Sequence, residues 1–136
     1  MYEYTKDLSC IQPGDLDGFF VGWPNPPSRE KHLELLKCSY RSFVVVEQES
    51  RKVVGFVNAV SDGVLTAYIP LLEVLPEHKG VGIGSKLVDL MLDELSGLYM
   101  IDICHDEYMA PFYKRFGAME SHASIFRNYA AQAGTI

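Results

Sequence analysis

A glycine-rich turn, Lys79-Gly80-Val81-Gly82-Ile83-Gly84, is the feature of this sequence best suited to binding a ligand. It follows a run of strand-forming residues and precedes an apolar helical stripe that begins at Ser85. Glycines let the backbone approach an anion, successive N–H groups converge on it, and the helix N-terminus adds a partial positive charge. The pattern predicts a pyrophosphate site. A tight strand-to-helix turn without a ligand explains the same glycines equally well.

Two better-known phosphate-binding loops do not fit this turn. The dinucleotide fingerprint GxGxxG requires a third glycine where Ser85 stands, or, counted from Gly82, where Leu87 stands. The Walker A loop GxxxxGK[ST] requires a glycine five residues after Gly80, and that position is again Ser85. The sequence therefore indicates neither a Rossmann dinucleotide site nor a P-loop.

A second chemical candidate is Asp102, which lies inside the apolar run Met100-Ile101-Asp102-Ile103-Cys104. An acidic residue in such a run should be partly buried and should need a partner for its charge. Asp102 is therefore a candidate for a general base. A solvated carboxylate at a strand end is an equally good explanation. The neighbouring His105, Asp106 and Glu107 lack a recognised metal-ligand spacing, so we expect no metal site.

Hydrophobic periodicity predicts the elements that position these groups. They are, in order, a short strand at 2–4, a weak helix at 14–21, a proline-rich loop at 22–27, a helix capped by Ser28 and ending near 38, a hairpin of strands 42–47 and 53–60, a long strand at 64–75, a helix at 85–95, a short strand at 99–104, a short helix at 109–116 and a last strand at 121–126. Pro70 predicts a bulge in the long strand or a parting from its neighbour. The early strands should form an antiparallel meander, and the last crossover should be parallel and right-handed. We expect one α/β (α+β) domain over residues 1–136, with a mixed, mostly antiparallel central sheet flanked by helices.

Composition excludes several classes of protein. The chain has 136 residues, of which 48% are hydrophobic, which suits one well-cored domain. Its net charge of −6 argues against a nucleic-acid binder, which usually carries a basic stripe. The three widely spaced cysteines, Cys10, Cys38 and Cys104, suggest reduced thiols in a cytoplasmic protein. Charged residues interrupt the first apolar run and no apolar stretch could span a membrane, so we expect no secretory segment and no membrane association.

The glycine turn and a later helix together resemble a known family. The segment Leu72–Gly84, LEVLPEHKGVGIG, is similar to the acetyl-CoA-binding motif of the GCN5-related N-acetyltransferases (GNAT), in which an apolar strand and a Pro-Glu step precede [Arg/Gln]-x-x-Gly-x-[Gly/Ala]. The segment Ala110–Ala118, APFYKRFGA, resembles the family's FY-x-x-x-G helix. The motifs occur in the family's order, and the likeness extends from about Phe43. Lys79 replaces the usual Arg or Gln, and Ala118 replaces the common Phe.

The resemblance implies that acetyl-CoA is the co-substrate. The strand around Leu72 and Val74 would lie beside the pantetheine arm, in a slot opened at Pro70, and the Leu72 N–H would polarise the thioester carbonyl. Backbone amides of residues 79–85 would hold the pyrophosphate. The implied cofactor-binding residues are Leu72, Glu73, Val74, Lys79, Gly80, Val81, Gly82, Ile83, Gly84 and Ser85.

The resemblance also makes Tyr113 the general acid that protonates the departing CoA thiolate. A phenol with a pKa of about 10 can donate to a thiolate of pKa about 8.5 only when it is held close and shielded from water. Periodicity alone favours core packing, because Met109, Phe112, Tyr113 and Phe116 form one apolar helical face. The motif favours catalysis.

The general base is not fixed by either motif. Histone-acetylating members carry a glutamate eleven residues before the position of Lys79, and this chain has Tyr68 there. Asp102 is our first candidate for the base, and Glu73, His78 and His105 are the alternatives.

In this family the acceptor side is built largely from the first two helices and their connection. The resemblance therefore implies that Phe20, Trp23 and Tyr68 line the amine pocket, although core packing also explains Phe20 and its neighbour Phe19. The net charge of −6 would attract a cationic amine.

We therefore expect an N-acetyltransferase that passes an acetyl group from acetyl-CoA to a primary amine of a small molecule or peptide, as a monomer or a homodimer. Two alternatives stay open. One is an acyl-CoA-binding or sensing module without turnover, which the missing histone-type glutamate favours and Tyr113 opposes. The other is a phosphate-binding protein of unrelated fold.

Overall fold

The computed structural model describes residues 1–134. Five strands form one sheet in the order β1-β2-β3-β4-β5, with β1 at Tyr2–Thr5, β2 at Arg41–Glu47, β3 at Val53–Ser61, β4 at Thr66–Val74 and β5 at Met100–Asp102. The helices are α1 at Arg29–Cys38, α2 at Ile83–Glu94 and α3 at Ala110–Lys114. The first four strands are antiparallel and β5 runs parallel to β4, so the predicted mixed, mostly antiparallel sheet is confirmed.

The sheet is covered on both faces, and most residues of its central strands β2 and β3 are buried and apolar. Side chains alternate along a strand, so Val45 of β2 enters the core on one face while Val44 and Val46 enter the core on the other. The first core contains Leu87 of α2, and the second contains Leu36 of α1. Burying a leucine fully stabilises the fold by roughly 1.5–3 kcal/mol, so these contacts fix both helices against the sheet.

Helix α2 forms the predicted crossover between β4 and β5. It begins at Ile83, two residues before the predicted start, so Ile83 and Gly84 of the glycine turn belong to its first turn. Gly82 is the N-cap and has a φ of +90°. The helix ends at Glu94, close to the predicted end at Leu95.

Two predicted elements are wrong. The weak helix at 14–21 is a single 3₁₀ turn at Pro13–Asp15 followed by turns, because Gly18 and Phe20 have positive φ values that a helix cannot accommodate. The last strand predicted at 121–126 is not formed, since this segment pairs with no strand among residues 1–134. The helix predicted at 109–116 is shorter, and a 3₁₀ turn at Glu107–Met109 precedes it.

Within 1–134 no helix combines the length and apolar character that crossing a membrane requires. The same residues contain no group of three or more His, Cys, Asp or Glu side chains close enough to hold a metal ion. The three cysteines are unpaired and exposed.

Candidate active site

The parallel strands β4 and β5 separate partway along β4. Their pairing runs from Thr66–Met100 to Tyr68–Asp102 and stops there. On the other side of β4, the register with β3 shifts so that Ile69 and Pro70 face a single residue. A bulge bends a strand and proline cannot donate a ladder hydrogen bond, so both features fit the divergence. The predicted bulge and parting at Pro70 are confirmed.

A cleft of about 790 Å³ opens where the strands part. The glycine turn forms one end, and the chain after β5, helix α3 and the loop around residues 20–23 form the walls. The cleft brings together most of the site residues that the sequence analysis named: Phe20, Trp23, Leu72, Glu73, Val74, His78, Lys79, Gly80, Gly82, Ile83, Gly84, Ser85, His105 and Tyr113. Val81, Tyr68 and Asp102 do not belong to the lining.

The glycine turn presents free backbone donors to this cleft. Gly80 and Gly82 have φ values of +82° and +90°. Residues other than glycine adopt this region only with backbone strain. The N–H groups in the first turn of α2 have no intrahelical acceptors, and the first turn contains no acidic side chain. The positive end of the helix is therefore uncompensated and suits an anion.

Arg115 is a site candidate that the sequence analysis missed. Its Nη2 donates a hydrogen bond to Ser85 Oγ at 2.8 Å, and its guanidinium lies over the ring of Phe112 at 5.0 Å. The contact holds a cation beside the first turn of α2. The sequence shows a basic residue directly after α3, but only the tertiary structure shows that it reaches Ser85.

Tyr113 and His105 stack in the wall of the cleft. Their ring centroids lie 4.8 Å apart with an interplanar angle of 27°. Burial raises the pKa of Tyr113, which keeps its hydroxyl protonated. His105 Nδ1 lies 2.8 Å from the carbonyl oxygen of Asp106. Because a carbonyl only accepts, neutral His105 carries its proton on Nδ1 and its lone pair on Nε2.

Glu73 anchors the loop that carries the aromatic wall of the cleft. Its Oε1 accepts from the backbone N–H of Phe20 at 2.8 Å and its Oε2 from that of Val21 at 3.2 Å. Phe20 is buried and has a φ of +61°, and its ring centroid lies 4.9 Å from that of Trp23. Phe20 therefore packs in the core, as the packing explanation predicts, and it also lines the cleft.

The expectation that Asp102 is partly buried is wrong. It is exposed because β5 has three residues and forms the outer edge of the sheet. Its register partner Tyr68 is half-buried, and burial raises the pKa of Tyr68, with a further contribution from the nearby Cys104 thiol. Phe19 is buried in the core, as the packing explanation predicts.

Residues 9–118 match the acetyltransferase (GNAT) family. Among curated proteins, the uncharacterized N-acetyltransferase ycf52 of Pyropia yezoensis is 25% identical over 100 residues, which are 71% of this chain and 58% of that protein. The chain thus spans little more than half the length of this relative.

Solved structures show the same fold. A candidate acetyltransferase from Deinococcus radiodurans R1 superposes with a TM-score of 0.95 and is 40% identical, over 99% of this chain and 94% of its own. A GNAT family acetyltransferase from Streptococcus pneumoniae TIGR4 has a TM-score of 0.73 and 23% identity, over 94% of this chain and 97% of its own, and this likeness concerns the fold alone. The cleft between diverging strands, the match over residues 9–118 and the Deinococcus likeness agree: this chain belongs to the GNAT family of acetyltransferases.

Proposed function

We propose that this chain, as a single domain, transfers the acetyl group of acetyl-CoA to a primary amine. The observation that carries the proposal is the parting of β4 and β5 beyond Tyr68 and Asp102. Within residues 1–134, no strand then pairs with the edge of β4 from Ile69 to Val74 on that side. This edge lies in a cleft that ends on the glycine turn, which suits a long ligand with amide groups along its length and phosphates at one end.

The residues present fit acetyl-CoA. The free edge of β4 offers backbone groups to the pantetheine amides, and the Leu72 N–H is the proposed donor to the thioester carbonyl. The amides at the start of α2, with no acidic side chain in that turn, fit the pyrophosphate. Arg115, held on Ser85, adds a cation there. ATP shares the phosphates but lacks the amide-bearing arm that a free strand edge recognises.

Proton transfer in this proposal uses Tyr113 and His105. The amine must lose a proton as its nitrogen forms the new bond to the acetyl carbon, and His105 Nε2 carries the lone pair that accepts it. As the carbon–sulfur bond breaks, the CoA thiolate takes the hydroxyl proton of Tyr113. We prefer His105 to Asp102 because His105 lines the cleft and stacks on Tyr113, whereas Asp102 is not part of the lining.

The acceptor in this proposal approaches past Trp23. The loop around residues 20–23 forms the aromatic wall opposite the chain that carries His105, and Asp106 adds an acidic side chain to the lining. An amine of a small molecule or a peptide suits this environment, and a net charge of −6 attracts a cation. We infer a cytoplasmic location, because three free cysteines suit a reducing compartment.

Ligand-dependent melting and thiol release test this function. Acetyl-CoA and CoA should raise Tm whereas ATP should not, and free thiol should appear when an amine from a panel is added with acetyl-CoA. Equal stabilisation by ATP would contradict the cofactor assignment. Binding of acetyl-CoA without thiol release across small amines and peptides would support the alternative of a sensing module.

A further inference from the structure

A second cavity adjoins the cleft on the face of the sheet that α2 covers. It has a volume of about 210 Å³ and lies between the strands, α2 and the residues that follow α3. Three residues line both the cavity and the cleft, namely Leu72, Ile103 and Tyr113. In the proposed function Leu72 lies beside the carbonyl oxygen of the thioester and Tyr113 beside its sulfur. The cavity therefore adjoins the position of the acyl carbon.

The side chains that line this cavity are apolar. Aliphatic residues of β3, β4, β5 and α2 form most of the lining, and Phe116 adds an aromatic ring. Among the described residues of the lining, only Tyr113 carries a polar side-chain group. An ordered water needs roughly two to four polar partners, whereas apolar cavities take up hydrocarbons. The cavity thus suits an alkyl chain better than water or a polar acceptor.

The volume of the cavity indicates the length of chain that it holds. A cavity of roughly 150 Å³ lined by aliphatic and aromatic side chains binds a benzene molecule. The cavity of about 210 Å³ in this protein is larger and has room for a chain of several methylene groups. An acetyl group ends in a single methyl and would leave most of this volume empty.

Ala118 keeps the outer end of the cavity open. It is exposed and lines the cavity beside Gly117. The helix motif described in the sequence analysis commonly has phenylalanine at this position. A phenyl ring is about the size of benzene and would take up much of the volume, whereas the methyl group of alanine leaves it free. The departure from the motif therefore leaves space for a ligand next to the reacting group.

We propose that this cavity binds the alkyl chain of an acyl-CoA, so that the protein transfers acyl groups of roughly four to six carbons as well as acetyl. This inference rests on the proposed function, because it requires the thioester to lie between Leu72 and Tyr113. The steps are those of acetyl transfer. The amine nitrogen bonds to the acyl carbon, the carbon–sulfur bond breaks, the amine proton passes to His105, and the thiolate takes the proton of Tyr113.

Affinity measured against chain length tests the cavity. Calorimetry with acetyl-, butyryl- and hexanoyl-CoA, in the absence of an amine, reports binding alone. Each buried methylene tightens binding by about fourfold, so butyryl-CoA should bind about tenfold more tightly than acetyl-CoA. Hexanoyl-CoA should bind at least as tightly as butyryl-CoA. An affinity that stays constant or falls as the chain lengthens would overturn the proposal.

Ala118→Phe tests where the chain lies. Because Ala118 is exposed, the added ring can enter the cavity without displacing the core. The ratio of hexanoyl-CoA affinity to acetyl-CoA affinity should fall by about tenfold or more. The control is Ala130→Phe, which adds the same ring at an exposed alanine that does not line the cavity, and it should keep the wild-type ratio. Equal ratios for the two variants would also overturn the proposal.

Thiol release separates this inference from the proposed function. With an amine from the panel, butyryl- and hexanoyl-CoA should each release thiol with a kcat/KM at least equal to that of acetyl-CoA. Release from acetyl-CoA alone would retain the proposed function and refute this inference. Affinity that rises with chain length, without thiol release from any acyl-CoA, would support the alkyl chain as the ligand of the cavity and refute acyl transfer.

Discussion

The carboxylate of Glu73 accepts a hydrogen bond from the backbone N–H of Phe20 at 2.8 Å, and this bond joins β4 to the aromatic wall of the cleft. Phe20 has a φ of +61°, a left-handed conformation that costs about 1–2 kcal/mol for a residue with a side chain. A second bond from the Val21 N–H reaches the same carboxylate at 3.2 Å. Glu73 is therefore a positioning residue for the loop before Trp23, and both its oxygens are engaged by the backbone.

Removing this carboxylate should loosen the acceptor side without stopping the chemistry. Glu73→Ala deletes both acceptors, and hydrogen bonds to charged groups contribute about 1.5–3 kcal/mol, so KM for the amine should rise about tenfold or more. The kcat value and the affinity for acetyl-CoA should change little. Glu73→Gln keeps one acceptor oxygen and should show a smaller rise. A fall in kcat with KM unchanged would instead make Glu73 a general base.

The chemistry itself should depend on the hydroxyl of Tyr113. Tyr113→Phe keeps the buried ring and its stacking on His105, so folding and acetyl-CoA affinity should be retained. Loss of a general acid typically costs about 10²-fold in rate, which corresponds to roughly 2.7 kcal/mol of barrier. Rapid-quench measurement of kcat checks this. If Tyr113→Phe turned over at the wild-type rate, with chemistry shown to limit the rate, Tyr113 would be a core aromatic and not the general acid.

A matching loss is expected when the imidazole of His105 is removed. His105→Ala should lower kcat for alkylamines by about 10²-fold, because the proton acceptor is gone. Added imidazole should restore part of the rate, since it can occupy the space that the ring leaves beside Tyr113. Asp102→Asn is the control and should keep most of the activity, because Asp102 is exposed outside the cleft. The reverse result, with Asp102→Asn inactive and His105→Ala active, would show that Asp102 and not His105 is the general base.

The anion site is tested at the two ends of α2. Gly84→Asp places a carboxylate in the first turn, where the new Cβ meets Val74 and Phe112 only at ordinary contact distances of 3.8 and 3.9 Å. Repulsion of the pyrophosphate should weaken acetyl-CoA binding by about tenfold or more. Gly97→Asp adds the same charge after the other end of the helix, where a Cβ meets nothing within 4 Å. If calorimetry gave the two variants equal affinities for acetyl-CoA, the pyrophosphate would not bind at the start of α2.

Local sequence signals predicted the parts of this fold that local signals determine. The runs of β-branched residues in β2 and β3, the helix that follows the glycine turn and the parting of strands at Pro70 all depend on residues close in the chain. The helix expected at 14–21 failed for a different reason. The left-handed conformation of Phe20 is held by Glu73, which lies 53 residues away in sequence.

The errors at Asp102 and at residues 121–126 share one cause. The expected last strand would have covered the outer side of the sheet and buried part of the neighbouring strand. Because residues 121–126 do not pair with β5, no strand in the described part of the chain covers the outer edge of the sheet, and Asp102 is exposed. Sequence pattern indicates that a segment can form a strand, but the strand it pairs with depends on topology. The stacking of His105 on Tyr113 is likewise a tertiary contact that the sequence pattern does not reveal.

Acid sensitivity of the fold should arise from His32. This side chain is 1% exposed and packs against the ring of Phe56 with centroids 4.4 Å apart, and neither ring nitrogen has a hydrogen-bond partner among the described residues. Burial lowers the pKa of His32 from its ordinary value of 6.5 to about 4. Folding therefore favours the neutral ring, whereas the unfolded chain binds a proton once the pH falls below about 6.5.

The stability that neutral His32 contributes is complete above pH 6.5 and is lost as the pH falls from there to about 4. The pKa difference corresponds to a fall of about 3 kcal/mol in the free energy of unfolding across this window. Urea unfolding at closely spaced pH values measures it. His32→Leu should flatten the slope between pH 6.5 and 4.5, whereas His122→Ala, a change at an exposed histidine, should leave it intact. If the wild-type chain and His32→Leu lose stability in parallel, the buried imidazole is not the group that takes up the proton.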